Sequence, residues 1–208
     1  MRLLMDLRRK LIRLFGLIIF VWVISPFYGC SIMSNSISVK LANRDFNKGN
    51  YSEAIHHYNN VINKLPASSN EDEPGGVAYL LYLRGYSYMK IDKCGNALPD
   101  LYQAYVLMQS GKEATSFSAD FQRELNSDIC LAIGICNINS NDYEAARNYL
   151  NLSLQYNPND YLTLRYLGIA EYESHHYEEA KESFQKSLEI NSSEENKQAI
   201  RKYYDFNH

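Results

Sequence analysis

Two stretches of this chain repeat one another in step. SDICLAIGICNINSNDYEAARNYLNLSLQYNPN begins at Ser127 and YLTLRYLGIAEYESHHYEEAKESFQKSLEINSS at Tyr161, 34 residues later. Gly134 answers to Gly168, Tyr143 to Tyr177, Ala146 to Ala180, Leu150 to Phe184, and Ser153-Leu154 to Ser187-Leu188. The same frame recurs from Ala78, with Gly85, Tyr88, Ala97, Leu101 and Ala104, and from Asn35, with Ala42, Gly49, Tyr51, Ala54, Tyr58 and Pro66. Spacings of three and four carry Leu81, Tyr88, Leu101 and their counterparts onto one helical face. Small residues at Gly85, Gly134 and Gly168, opposed by Ala54, Ala97, Ala146 and Ala180, let two helices of a hairpin approach closely. No single hairpin hides such a face alone, so the units must stack into a solenoid.

The pattern resembles the tetratricopeptide repeat, a helix-turn-helix unit of about 34 residues. It carries a small residue in the first helix, an aromatic opening the second, an alanine three later, a large apolar residue four after that, and Pro66 or Pro158 at the end of the unit. Cys94 stands where the aromatic belongs, and Gln109 and Ser192 replace the terminal proline. The resemblance implies an all-α solenoid of about four repeats, near 35–68, 78–111, 127–160 and 161–194 within residues 35–194, closed by a capping helix over 195–208. It further implies a scaffold or adaptor, not an enzyme, whose partner is a protein or an extended peptide. The family's two-carboxylate clamp for chaperone tails needs paired Lys, Asn and Arg on first helices. Asn43 is in place, but Val39 and Tyr82 occupy positions where basic or amide groups belong, which argues against a chaperone-tail receptor.

Two insertions interrupt the frame. SSNEDEPGGV, from Ser68, is acidic with a Pro-Gly-Gly signal and reads as an exposed loop. In KEATSFSADFQRELN, from Lys112, Ser118 is placed to cap a helix with Asp120 in its first turn, and that helix would run on into the third repeat. After the fourth repeat, Ser192 and Glu195 have capping-box spacing, opening a helix with Ala199, Ile200 and Tyr203 on one side.

The beginning of the chain reads as an address. Residues 1–29 hold five basic groups, Arg2, Arg8, Arg9, Lys10 and Arg13, against Asp6 alone, and Leu14 to Tyr28 is fifteen residues without a charge. This is a signal-peptide layout, too short for an ordinary spanning helix of about 20 residues. Phe27-Tyr28-Gly29-Cys30 resembles a bacterial lipobox, which implies cleavage before Cys30, lipidation on it, and a short tether over 30–34. Phe27 and Tyr28 depart from the leucine and small residue usual there. The expected location is the cell envelope, anchored by lipid, at the outer more than the inner membrane, and facing the periplasm. The alternative is an accessory subunit of an envelope enzyme complex held by an uncleaved N-terminal helix. From Cys30 on, sixteen basic and twenty-three acidic residues leave a net charge of −7, which argues against nucleic acid as partner.

Chemistry-bearing constellations are sparse. His56 and His57 point about 100° apart on a helix, and His175 and His176 fall in a turn, so neither pair has metal-ligand spacing. No phosphate loop or nucleophile elbow is present, and no cofactor, metal or small-molecule substrate is expected. Cys130 and Cys136 share a helix with about 9 Å of rise between them, beyond the roughly 7 Å a disulfide spans. A Cys94 to Cys130 bridge or three buried thiols remain as readings. Eighteen tyrosines are the compositional outlier. Tyr51, Tyr58, Tyr143 and Tyr177 read as repeat core. Tyr79, Tyr82, Tyr86 and Met89 in the second repeat, Leu131 and Ile135 in the third, and Arg165, Tyr166, Ile169 and Tyr172 in the fourth fall on the concave face and define a candidate peptide groove, with Arg165 placed for a carboxylate.

Overall fold

The computed structural model describes residues 37–65, 74–110 and 117–204. Nine helices and no strand lie among the described residues. They are α1 (37–47), α2 (Tyr51–Ile62), α3 (Pro74–Lys90), α4 (Cys94–Gln109), α5 (Ala119–Asn139), α6 (Tyr143–Tyr156), α7 (Tyr161–Glu173), α8 (Tyr177–Ile190) and α9 (Glu194–Ile200). Consecutive helices pair into hairpins, α1/α2 through α7/α8, and the hairpins stack in chain order. The architecture is an all-α tetratricopeptide solenoid. The signal segment, Cys30 and the 30–34 tether lie outside the described residues.

All four hairpin turns solve the same problem in one way. Each places a single residue in the left-handed region: Gly49 (φ 76°), Asp92 (58°), Asn141 (60°) and His175 (67°). Its N–H bonds the carbonyl three residues back, and the next N–H bonds the carbonyl five back, as in Asp142 N to Asn137 O and His176 N to Glu171 O at 2.9 and 2.8 Å. This double bond is the Schellman closure, which satisfies the orphan carbonyls of the first helix. Glycine, asparagine, aspartate and histidine are the residues that bear positive φ at least cost.

The glycines of the repeat face the large apolar residue of the following helix rather than its alanine. A Cβ on Gly134 would lie 2.6 Å from Leu150 Cγ, and one on Gly168 would lie 2.6 Å from Phe184 Cδ1. Leu150 and Phe184 are fully buried, as are Leu101 and Tyr58 at the equivalent places. Ala54, Ala97, Ala146 and Ala180 are buried beside them. In the last two repeats a recurring serine ties the end of the second helix to the start of the first, with Ser153 Oγ donating to Ser127 O (2.9 Å) and Ser187 Oγ to Tyr161 O (2.8 Å).

Ser118 caps α5, accepting from Phe121 N, and α5 runs unbroken for 21 residues into the third repeat. Three local readings are corrected. The Pro-Gly-Gly signal does not mark loop: α3 begins at Pro74, where a missing N–H costs nothing, and burial of Val77, Ala78 and Leu81 outweighs the poor propensity of the glycines. The last helix is capped by Ser193, not Ser192, because Ser193 Oγ accepts from Asn196 N. Buried Asn196 then donates to Ser187 Oγ and Asn191 O, which sets the register of α9, while Ile200 packs on Ala180 and Phe184. Of the four core tyrosines, Tyr58 is fully buried, but Tyr51 and Tyr143 are only partly covered and Tyr177 is 53% exposed, its ring edge against Tyr172.

Cys94, Cys130 and Cys136 are buried free thiols. Cys94 faces Cys136, not Cys130, because Cys94 opens α4 opposite the C-terminal half of α5, where Asn139 Nδ2 donates to its sulfur (3.4 Å). Between the first two repeats, Arg84 makes a two-pronged pair with Asp100 (2.7 and 2.6 Å) and donates a third bond to Asn59 Oδ1 (2.8 Å).

Candidate functional site

First helices carry side chains at spacings of three and four along one partly exposed row. On α3 the row is Tyr82, Tyr86, Met89 and Lys90; on α5 it is Asp128, Leu131, Ala132, Ile135 and Asn139; on α7 it is Tyr161, Leu162, Arg165 and Tyr166. With Asp92 and Glu195 they line a groove of about 650 Å³. Among the described residues, no second helix of a hairpin contributes a wall residue.

Seven of the ten sequence-predicted residues meet there: Tyr82, Tyr86, Met89, Leu131, Ile135, Arg165 and Tyr166. The other three are taken by neighbouring structure. Tyr79 packs edge-on against Phe117 and Phe121, at 6.1 and 5.6 Å between ring centroids, because the segment ahead of α5 folds over it. Ile169 and Tyr172 belong to the C-terminal cluster around Ala180, Phe184 and Ile200, with Tyr172 edge-on to Tyr203 at 5.4 Å. Asn43, the one clamp-like residue, is spent on the Tyr58 hydroxyl, which donates to its Oδ1 at 2.8 Å.

The groove is polar at separate places. Arg165 lies over the Tyr166 ring at 5.3 Å and donates to Asn196 Oδ1 (3.2 Å). Lys90 Nζ sits 5.2 Å above the Tyr86 ring. Neither has a carboxylate within ion-pair distance among the described residues. Asp128 is the residue that sequence reasoning passed over. It is partly buried, accepts a long bond from the Tyr82 hydroxyl (3.5 Å), and has no cationic partner among the described residues. Burial first, then the negative charges of Glu124 and Asp160, push its carboxyl up to about 6, against a weaker opposing effect of the Tyr82 hydrogen bond. The signal was present: extending the Leu131, Ile135 row back by three residues reaches Asp128.

The histidines hold local contacts: His57 Nε2 lies 3.4 Å from Asp45 Oδ2, His56 meets Asn60, and His175 Nδ1 meets the Tyr177 hydroxyl at 2.8 Å. Among the described residues no group of three or more His, Cys, Asp or Glu is placed to hold a metal, and no helix is long and apolar enough to cross a membrane.

Stacked hairpins with a groove walled by first helices define the class of fold, an all-α solenoid of tetratricopeptide type. Tetratricopeptide repeat models match residues 127–160 and 161–193. Among solved structures, the chain is similar to MamA (19% identity, TM-score 0.58, covering 79% of this chain and 82% of that one). It is similar also to YrrB, described as a TPR protein with an unusual peptide-binding site (17%, TM-score 0.57, covering 77% and 71%). A third likeness is the C-terminal TPR-containing domain of a Plasmodium falciparum FK506-binding protein (18%, TM-score 0.55, covering 67% and 91%). No curated protein matches the chain in sequence.

Proposed function

We propose that this protein is a membrane-anchored scaffold or adaptor that holds a protein or extended peptide in the groove of α3, α5 and α7. The observation that carries the reading is the make-up of that groove: tyrosines and aliphatic side chains from three successive first helices, open along its length, with charged groups at intervals. A surface of that length suits an extended segment, and tyrosine gives large contact area at low entropic cost. The peptide-binding site of YrrB, a protein of the same fold, lends the reading further support. The anchor is the lipid on Cys30, and the place of action is the periplasmic face of a bacterial envelope membrane, the outer one preferred. These two parts rest on the basic segment, the apolar segment and Gly29-Cys30.

The test is photo-crosslinking of the full chain in cells, with the reactive group placed at Ile135 in the groove or at Val106, which is 64% exposed on α4. Adducts from Ile135, and an affinity loss of about 2 kcal/mol in Tyr86→Ala or Tyr166→Ala for the partner so identified, support the groove. Adducts from Val106 alone, or unchanged affinity in both folded variants, overturn it.

A further inference from the structure

We infer that the peptide taken by the groove carries a lysine or arginine whose cationic head is received by Asp128, with its aliphatic stem lying along Tyr82 and Tyr86. This rests on the proposed groove binding and specifies the partner's chemistry. The two tyrosine rings stand 5.9 Å apart on successive turns of α3, and Tyr82 places its hydroxyl on the Asp128 carboxylate. An aromatic wall ending at a carboxylate suits a long cationic side chain: ring faces attract the cation and cover the stem, and the carboxylate fixes the head.

The surrounding charges favour this occupant over any other polar one. Glu124 lies one turn before Asp128 on α5, and Asp160 stands at the start of α7, so the field at Asp128 is negative. Asp160 is itself engaged, accepting from Leu162 N (3.1 Å) and Thr163 N (3.2 Å) as the cap of α7. Asp128 is left with one long bond, from Tyr82, and no cation among the described residues. A carboxylate held in that way costs stability in the empty protein, and burial raises its proton affinity toward neutrality. A bound ammonium or guanidinium offsets both effects. The groove's own cations, Lys90 and Arg165, lie over the rings of Tyr86 and Tyr166 and neither forms an ion pair with Asp128, so an acidic group elsewhere on the same peptide has a place too.

The test is selection of a random decapeptide phage library on the full-length chain held in detergent micelles, beside Asp128→Asn and, away from the groove, Val106→Ala, each checked for helical content and melting. Enriched peptides carry Lys or Arg at one fixed position on the parent and on Val106→Ala. On Asp128→Asn that preference disappears, and the parent's best peptide binds about tenfold more weakly. Its affinity for the parent also falls as pH drops below about 6, where Asp128, flanked by Tyr82, Glu124 and Asp160, takes up a proton. Asp128→Ser repeats the comparison should the amide variant fold poorly. Enriched peptides without a basic position, or a basic preference retained by Asp128→Asn, overturn the inference while leaving groove binding intact. No enriched peptide at all overturns the groove reading and the inference with it.

Discussion

Gly134 on α5 lies directly against the side chain of Leu150 on α6, so close that a Cβ at Gly134 would come within 2.6 Å of Leu150 Cγ. Leu150 is fully buried and has nowhere to retreat. Gly95, by contrast, has nothing within 4 Å of a Cβ placed on it. Gly134→Ala is therefore expected to destabilise the fold by about 1 to 3 kcal/mol through overpacking, despite the gain in helix propensity, and Gly134→Leu by more. Gly95→Ala should be neutral or stabilising by about 0.5 to 1 kcal/mol. Urea midpoints for the two alanine variants, measured side by side, check the contrast; equal midpoints would contradict the helix contact.

The Arg84–Asp100 pair is largely removed from water and joined to Asn59 of the preceding repeat. Asp100→Ala leaves the guanidinium without its carboxylate and should cost about 3 kcal/mol, whereas the apolar double variant Arg84→Met, Asp100→Leu should recover much of the loss. Thermal melts of the three chains decide it.

Asp128 predicts a pH dependence with a definite sign. Its carboxyl titrates near 6 in the folded chain and near 3.8 when exposed. In that window the native state holds the extra proton, so stability falls as pH rises, and the penalty is complete above about 6. Partial solvent contact tempers the effect. Asp128→Asn should gain about 1 to 2 kcal/mol at about pH 7.5 and little at about pH 4. The same gain at both values would show that the carboxylate bears no burden.

Burial pushes the Cys130 thiol up to about 12, and burial together with Cys94 raises Cys136 as well. Alkylation of Cys94, Cys130 and Cys136 by iodoacetamide at about pH 8 should be slow in the native protein and prompt in denaturant. Peptide mass mapping of labelled samples reads each site; fast native labelling of Cys130 would place it outside the core.

Cys30→Ser is expected to accumulate an unprocessed precursor and to abolish fatty-acid labelling in a bacterial host. Intact mass decides the outcome: a variant still trimmed to the mature length of the parent would refute lipidation at Cys30.

The helical hairpin was legible in the sequence because its signal is repeated. Glycine, aromatic, alanine and large apolar residue return at intervals of 34 in the last two repeats, and the glycine and the large apolar residue meet within each hairpin. The cap at Ser118 and the long α5 were legible for a similar reason, since caps act over three residues. The row through Leu131 and Ile135 reaches Asp128, but its setting was not legible, because Tyr82 and Asp160 come beside it from α3 and from the start of α7 only in the folded chain.

The sequence by itself determined the class of fold, the pairing of helices and the face each first helix turns outward, all of which follow from periodicity within about 34 residues. Only the tertiary structure decided which of that face stays open. Tyr79 is covered by Phe117 and Phe121, and Tyr172 by Tyr203, through packing of segments outside the repeat pattern. The helix start at Pro74 and the choice of Ser193 over Ser192 as cap were settled in the same way, by burial of Val77 and Asn196. Local periodicity states which side chains share a face, but the cost of leaving that face in water is known only when every neighbouring segment has found its place.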